Sequence, residues 1–192
     1  MGIDADLSLK CAVFLDRDGV LNRNVWNPAT HTYEAPLTPD QFELLPKVIP
    51  ALQLLQVKGY LLFLVSNQPN HAKGKARMGT LNAIHGKLES ILKEASISFA
   101  AFYYCFHHPA FGDECVCRKP SPHFLYRARD NFGVRLEHSW MVGDRVTDIE
   151  CGRAAGTRTL QIQQDGTSET DADATAVDLW SATKFIANNL DS

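Results

Sequence analysis

Five short apolar runs, separated by longer segments of helical periodicity, constrain this chain more than any other feature. The runs cover residues 11–15, 61–65, 99–106, 139–142 and 157–162. Between the first two, residues 47–58 place Val48, Leu52 and Leu55 on one helical face and stop at Gly59. Residues 81–92 align Leu81, Ile84, Leu88, Ile91 and Leu92 on one stripe. Ser121 and Pro122 then open a helix as N-cap and first residue, and Gly133 closes it. A short helix follows the fourth run and ends at Ala155 and Gly156. The polar stretch 163–175 reads as a loop, and a last helix covers 177–188. Strands that alternate with helices are joined by right-handed crossovers into a parallel sheet covered on both faces. The fold class is therefore α/β, with residues 1–192 as one domain.

The 192 residues suffice to bury a core without disulfide staples. A formal charge of −3 argues against a broad nucleic-acid-binding face, although a local basic pocket for a small anion fits. The longest apolar run, 60–65, is far too short for a bilayer, and residues 1–9 do not read as a signal peptide. We therefore expect a cytoplasmic location, with no membrane partner. Five cysteines in a reducing compartment are then thiols or metal ligands.

In parallel sheets of this kind ligands bind beyond the carboxyl ends of the strands, so the residues after each run matter most. The first run leads into Asp16-Arg17-Asp18-Gly19, two acids one residue apart that project the same way from an extended chain. The second leads into Ser66-Asn67-Gln68, the fourth into Gly143-Asp144-Arg145-Val146-Thr147-Asp148, and Arg118-Lys119-Pro120 precedes the third helix. Brought to one sheet edge, the acids repel unless a cation joins them, and Mg2+ prefers carboxylates together with a substrate phosphate. Lys119 adds positive charge for the phosphate. This set reads as phosphoryl transfer, in which positioning and charge neutralisation carry catalysis. Asp16 is the expected nucleophile and Asp18 the acid and base. Asp144 completes the magnesium site, Asp148 supports it from outside, and Ser66 and Lys119 hold the phosphoryl oxygens. Each motif alone is commonly a turn, a cap or solvated surface; their order at successive strand ends is what makes the site.

Cys105-Phe106-His107, seven residues, then Cys115-Val116-Cys117 supplies three thiols and an imidazole within the loop 105–117. Such a set closes a tetrahedral zinc site with no position left for water, a structural role. Spacing alone equally allows three buried thiols and an ordinary histidine, and His108 competes with His107 as fourth ligand. Cys11 and Cys151 read as small buried apolar residues.

With these motifs in place, the chain resembles phosphatases of the haloacid dehalogenase superfamily. Within it, the chain is similar to the D-glycero-D-manno-heptose 1,7-bisphosphate phosphatase family and to its relative, histidinol-phosphate phosphatase. The resemblance runs from position 12 to about 162. It rests on Phe14-Leu15-Asp16-Arg17-Asp18-Gly19, Ser66-Asn67-Gln68, Tyr103-Tyr104-Cys105-Phe106-His107-His108-Pro109, Cys115-Val116-Cys117-Arg118-Lys119-Pro120 and Met141-Val142-Gly143-Asp144. It implies a Rossmann-like three-layer sandwich with a parallel sheet, a zinc-bound loop and no separate cap domain. It also implies zinc on Cys105, His107, Cys115 and Cys117, and Mg2+ on Asp16, Asp144 and the Asp18 backbone carbonyl. Substrate recognition falls to Arg118 and to a loop of Asn24, Val25, Trp26 and Asn27; Asn67, Gln68 and Arg145 are further candidates. The implied reaction removes the C7 phosphate of a heptose bisphosphate, a step toward the activated heptoses of bacterial surface glycans such as lipopolysaccharide. Histidinol phosphate or another small sugar phosphate is the alternative substrate, and a monomer is expected. The chain departs from the family at Pro69-Asn70-His71, at Lys73-Gly74 where arginine-glycine is common, and at Phe106 where proline is usual.

Overall fold

The computed structural model describes residues 10–112, 115–163 and 170–189. The elements are β1 (Ala12–Leu15), β2 (Val25–Asn27), β3 (Thr32–Glu34), α1 (Val48–Val57), β4 (Leu61–Asn67), α2 (Met78–Glu94), β5 (Ala101–Cys105), α3 (His123–Phe132), β6 (Trp140–Gly143), α4 (Val146–Ala155), β7 (Arg158–Ile162), β8 (Ala174–Ala176) and α5 (Leu179–Asn188). Among the described residues six strands form one sheet in the order β5-β4-β1-β6-β7-β8, and β2 pairs with β3 as a hairpin. Every pairing in the six-stranded sheet is parallel.

Strand alternation divides the core into two layers, as a period of two requires. Val13, Leu15, Leu62, Leu64, Trp140, Val142, Leu160 and Ile162 face one side, packed by residues of α1, α2 and α5. Ala12, Phe14, Phe63, Val65 and Met141 face the other, against Phe124, Leu125 and Ala128 of α3 and Cys151 and Ala155 of α4. In α2, Leu81, Ile84, Leu88 and Leu92 are buried, whereas Ile91 is only partly so. Each fully buried aliphatic side chain stabilises the fold by about 1.5–3 kcal/mol. Gly133 and Gly156 end α3 and α4 in the left-handed region, where glycine has no Cβ penalty.

Two expectations change. The stretch read as a loop over 163–175 contributes the edge strand β8 at its far end. Asp173 anchors that strand by accepting from the Thr159 amide and hydroxyl, both at 2.7 Å. Three residues are too few to display a period in sequence. Part of that stretch, 164–169, lies outside the described residues. The third helix also starts later, with Pro122 as its cap rather than its first residue. Among the described residues no helix is long and apolar enough to cross a membrane.

β1, at the middle of the sheet with β4 and β6 on either side, carries its chain end to the same edge as theirs. The hairpin β2–β3, inserted between β1 and α1, rises beside that edge.

Candidate active site

Asp16 continues β1 by one residue, its amide donating to Val142 O at 3.0 Å. The chain then turns sharply. The amides of Leu21 and Asn22 both donate to Arg17 O, at 2.8 and 3.1 Å, and Gly19 sits at φ +86°. A Cβ on Gly19 would run into the Asp144 carboxylate, so glycine here permits a close approach as well as a left-handed turn. Gly143 likewise permits a close approach at the end of β6, where a Cβ would occupy the space of Asp148. Asp148 Oδ2 in turn accepts from the Arg145 amide at 3.0 Å and caps α4.

Lys119 lies beneath these acids, 3 % exposed. Its ammonium is 2.9 Å from Asp16 Oδ1 and 2.6 Å from Asp148 Oδ1, and donates to Val65 O at 2.7 Å. Burial opposes that charge, but Asp148 and Asp16 outweigh it and hold the ammonium above its ordinary range. Asn67 fixes the lysine's backbone: its Nδ2 donates to Lys119 O and its Oδ1 accepts from the Lys119 amide, both at 3.1 Å.

Asp16, Asp144 and Asp148 bring carboxylate oxygens within 4.8 Å of one another. Asp144 Oδ1 is buried with no partner, and the only close donor facing Asp16 Oδ1 and Asp148 Oδ1 among the described residues is the Lys119 ammonium. Burial, then the Asp16 and Asp148 charges, push the Asp144 carboxyl up to about 7. A buried oxygen cluster with excess negative charge and an orphaned acceptor fits a hard divalent cation such as Mg2+.

Asp18 is held differently. Arg17 Nη2 donates to both of its oxygens, at 2.9 and 3.1 Å, and Arg17 Nε reaches Oδ1 at 3.2 Å. Asn22 Nδ2 adds a bond to Oδ1 at 2.9 Å and Gln68 Nε2 one to Oδ2 at 2.5 Å. Gln68 also donates to Ser66 Oγ at 3.0 Å and accepts from Arg17 at 2.9 Å.

A cavity of ≈ 1180 Å³ opens above the sheet edge. Asp16, Asp18, Asp144, Lys119, Asn67, Arg118 and Arg145 all line it, as the sequence reading expects. Ser66 and Gln68 do not; they are 2 % and 1 % exposed and lie below its floor. Asn24, Val25, Trp26 and Asn27 are also missing from the lining. The hairpin presents Thr32, Tyr33, Glu34 and Ala35 instead, because β3 and not β2 is the strand beside the cavity. Asn24 still sits close to the Gly19 turn, with its buried Oδ1 unpaired.

In the loop after β4, sequence reasoning noted Lys73 only as a departure from the family pattern and passed over Lys75. Burial and then the charges of Lys75 and Arg118 hold the Lys73 ammonium below its ordinary range, which marks a crowded positive corner of the cavity. Lys75 spans from that loop to the hairpin, 2.7 and 2.8 Å from the two Glu34 oxygens. Hydrogen bonds from Lys75 and Thr30 pull the Glu34 carboxyl down to about 2.

At one rim stands the cysteine loop. The donor atoms of Cys105, His107, Cys115 and Cys117 lie within 4.8 Å of one another. Cys105 Sγ is 3.7 Å from both Cys115 Sγ and His107 Nδ1, and Cys117 Sγ is 3.4 Å from His107 Nδ1. A tetrahedron with metal–sulfur bonds of about 2.3 Å has edges near 3.8 Å, so the spacing suits a closed metal site. His108 is outside the cluster, its Nδ1 accepting from the Ala110 amide at 3.2 Å. Arg118, one residue past Cys117, donates to His107 O at 3.2 Å, so the loop sets the position of a cavity arginine.

Comparison with known proteins points the same way. The HAD-hydrolase-like family model matches residues 116–192. The chain is 35 % identical over 176 residues to a D-glycero-beta-D-manno-heptose-1,7-bisphosphate 7-phosphatase of Vibrio cholerae serotype O1, covering 88 % of this chain and 90 % of that one. It is 34 % identical over 160 residues to the protein of that name from Salmonella typhi, covering 81 % of each. Among solved structures it is similar to the D,D-heptose 1,7-bisphosphate phosphatase of B. bronchiseptica complexed with magnesium and phosphate. That match has a TM-score of 0.78 at 27 % identity, over 93 % of this chain and 98 % of the other.

Proposed function

This chain belongs to the D-glycero-beta-D-manno-heptose-1,7-bisphosphate 7-phosphatase family of HAD-like hydrolases, and on that premise we propose that it removes the C7 phosphate of D-glycero-D-manno-heptose 1,7-bisphosphate through a phosphorylated Asp16. One observation carries the reading. A strand-end carboxylate, a buried lysine ion-paired to it and to Asp148, and a further acid, Asp144, with an unpaired oxygen share one cavity wall.

Asp16 attacks phosphorus and the bond to the sugar oxygen breaks, its electron pair remaining on that oxygen. Asp18 gives the oxygen a proton, releasing the sugar hydroxyl. In the second half, Asp18 takes a proton from water as the water oxygen attacks the phosphorus of phospho-Asp16. The Asp16–phosphorus bond breaks, and carboxylate and inorganic phosphate result. Lys119, held by Asp148 and the Val65 carbonyl, stabilises the equatorial oxygens. Asp16, Asp144 and the Asp18 carbonyl would hold Mg2+, which would supply charge neutralisation at the transferring phosphoryl group. The positive corner of Lys73, Arg118 and Arg145 suits the phosphate that is retained. Zinc on Cys105, His107, Cys115 and Cys117 would pin the loop that ends in Arg118 and Lys119.

The test is 31P NMR of the products from heptose 1,7-bisphosphate with Mg2+, alongside histidinol phosphate as competitor. Loss of the C7 resonance with kcat/KM at least a hundredfold above that for histidinol phosphate is expected. Loss of the C1 phosphate, or a preference for histidinol phosphate, would overturn the substrate assignment.

A further inference from the structure

Within the acid cluster, Asp18 stands apart. Asp144 keeps a buried oxygen without a partner and Asp16 and Asp148 each turn one oxygen to the Lys119 ammonium, whereas both Asp18 oxygens accept side-chain donors from Arg17, Asn22 and Gln68. The three donors come from separate segments: the turn after β1, the root of the hairpin and the end of β4. They are almost completely buried, at 1 %, 0 % and 1 % exposure, and none lines the cavity that Asp18 lines. An arginine beside a phosphate site is ordinarily read as a phosphate ligand. Arg17 is walled off from the cavity, and its hydrogen bonds go to Asp18 and to Gln68. Burying a guanidinium and a carboxylate brings a desolvation cost, which favours a purpose beyond stability, since apolar side chains of like volume commonly stabilise as well.

We propose that Arg17, Gln68 and Asn22 are positioning residues that fix the Asp18 carboxylate at the angle needed for proton transfer with the departing sugar oxygen. The inference rests on the proposed acid and base role of Asp18. It reassigns Gln68, which the sequence places among the substrate contacts, to holding Asp18 from outside the cavity. It also links the hairpin to the chemistry, because Asn22 is both a donor to Asp18 and the point where the hairpin leaves the turn. The Asn22 amide is fixed to Arg17 O, and the Gly19 amide to Asn22 O at 2.8 Å. Proton transfer is sensitive to misplacement on the ångström scale, and a general acid contributes roughly 10²–10⁴ in rate.

Leaving-group dependence separates this role from a structural one. A nitrophenolate leaves without a proton, so the first half-reaction on p-nitrophenyl phosphate needs little help from Asp18. A sugar alkoxide needs that proton. The experiment measures first-turnover rates by rapid mixing for wild type, Arg17→Lys, Gln68→Leu and Asp18→Asn, on p-nitrophenyl phosphate and on heptose 1,7-bisphosphate. Arg17→Lys keeps the charge and loses the fork; Gln68→Leu keeps the Arg17–Asp18 pair and loses one donor. Both should lose at least tenfold more on the sugar phosphate than on the aryl phosphate, in kcat rather than KM, with Asp18→Asn showing the same pattern more strongly. If Asp18→Asn shows the pattern and neither positioning variant does, the inference is wrong and the acid role stands. If Asp18→Asn itself loses equally on both substrates, the acid role fails and the inference with it. Should Arg17→Lys not fold, Gln68→Leu decides.

Discussion

Replacing Lys119 by methionine removes the ammonium paired with two of three clustered buried carboxylates while keeping the side chain's length. The ammonium lies 2.9 Å from Asp16 and 2.6 Å from Asp148, at 3 % exposure, with Val65 O as its third partner. Removing one member of a buried ion pair leaves uncompensated charge and costs about 3–5 kcal/mol. For a chain of this size each kcal/mol lowers Tm by about 2–4 °C, so a fall of roughly 6–20 °C is expected in chelator. Mg2+ should return more of that loss in Lys119→Met than it adds to wild type, because a divalent ion supplies the missing charge. Adding Asp148→Asn should recover about 0.5–3 kcal/mol, the range of coupling between groups in contact. Activity should fall by roughly 10²–10³ in kcat, the usual effect of losing one donor to transferring charge. Calorimetry with and without Mg2+, and steady-state phosphate release, read these quantities. A variant as stable as wild type in chelator, with kcat within threefold, would refute the reasoning from charge balance.

Other outcomes follow from the same geometry. Gly19→Ala meets both a positive φ and the Asp144 carboxylate, so it should lose about 1–2 kcal/mol from the backbone and need at least tenfold more Mg2+ for half-maximal rate. Gly133→Ala, with open space at its Cβ, should show only the stability loss; an equal Mg2+ shift in both would contradict the account. In metal-free protein Asp144 holds its proton up to about 7, whereas the unfolded chain releases it near an ordinary carboxylate value. The folded state therefore binds more protons, and the stability difference between wild type and Asp144→Asn should fall as pH rises from about 4 to about 7, then level off. Saturating Mg2+ should abolish that slope, as read by urea unfolding at a series of pH values. Elemental analysis should find one zinc per chain, and Cys105→Ser should lose it together with kcat on the sugar phosphate even in excess Mg2+. A zinc-free wild type with full activity would remove zinc from the account.

Much of the architecture is legible in the sequence, because fully buried parallel strands such as residues 61–65 read as continuous apolar runs. The acids were legible for a different reason: in such a sheet the residue after each strand has only one edge to point toward. What escaped has physical causes as well. β8 is too short to show a period, and Asp173, its anchor, looks like any loop acid until Thr159 is placed beside it. The wall formed by Thr32–Glu34 depends on which strand of a hairpin lies nearer the sheet, a choice that spacing does not encode. Arg17 was visible between two acids, yet only its burial shows that it turns away from the cavity. Lys75 and Glu34 are 41 residues apart, and nothing local announces their contact.

The central claim is a phosphorylated Asp16, and rapid acid quench of a single turnover on heptose 1,7-bisphosphate tests it most directly. Peptide mapping of the quenched protein should find phosphate on the peptide holding Asp16, rising and decaying at rates that account for turnover, and absent from Asp16→Asn. Phosphate release at the wild-type rate from Asp16→Asn, or a single turnover that never labels the protein, would contradict the account.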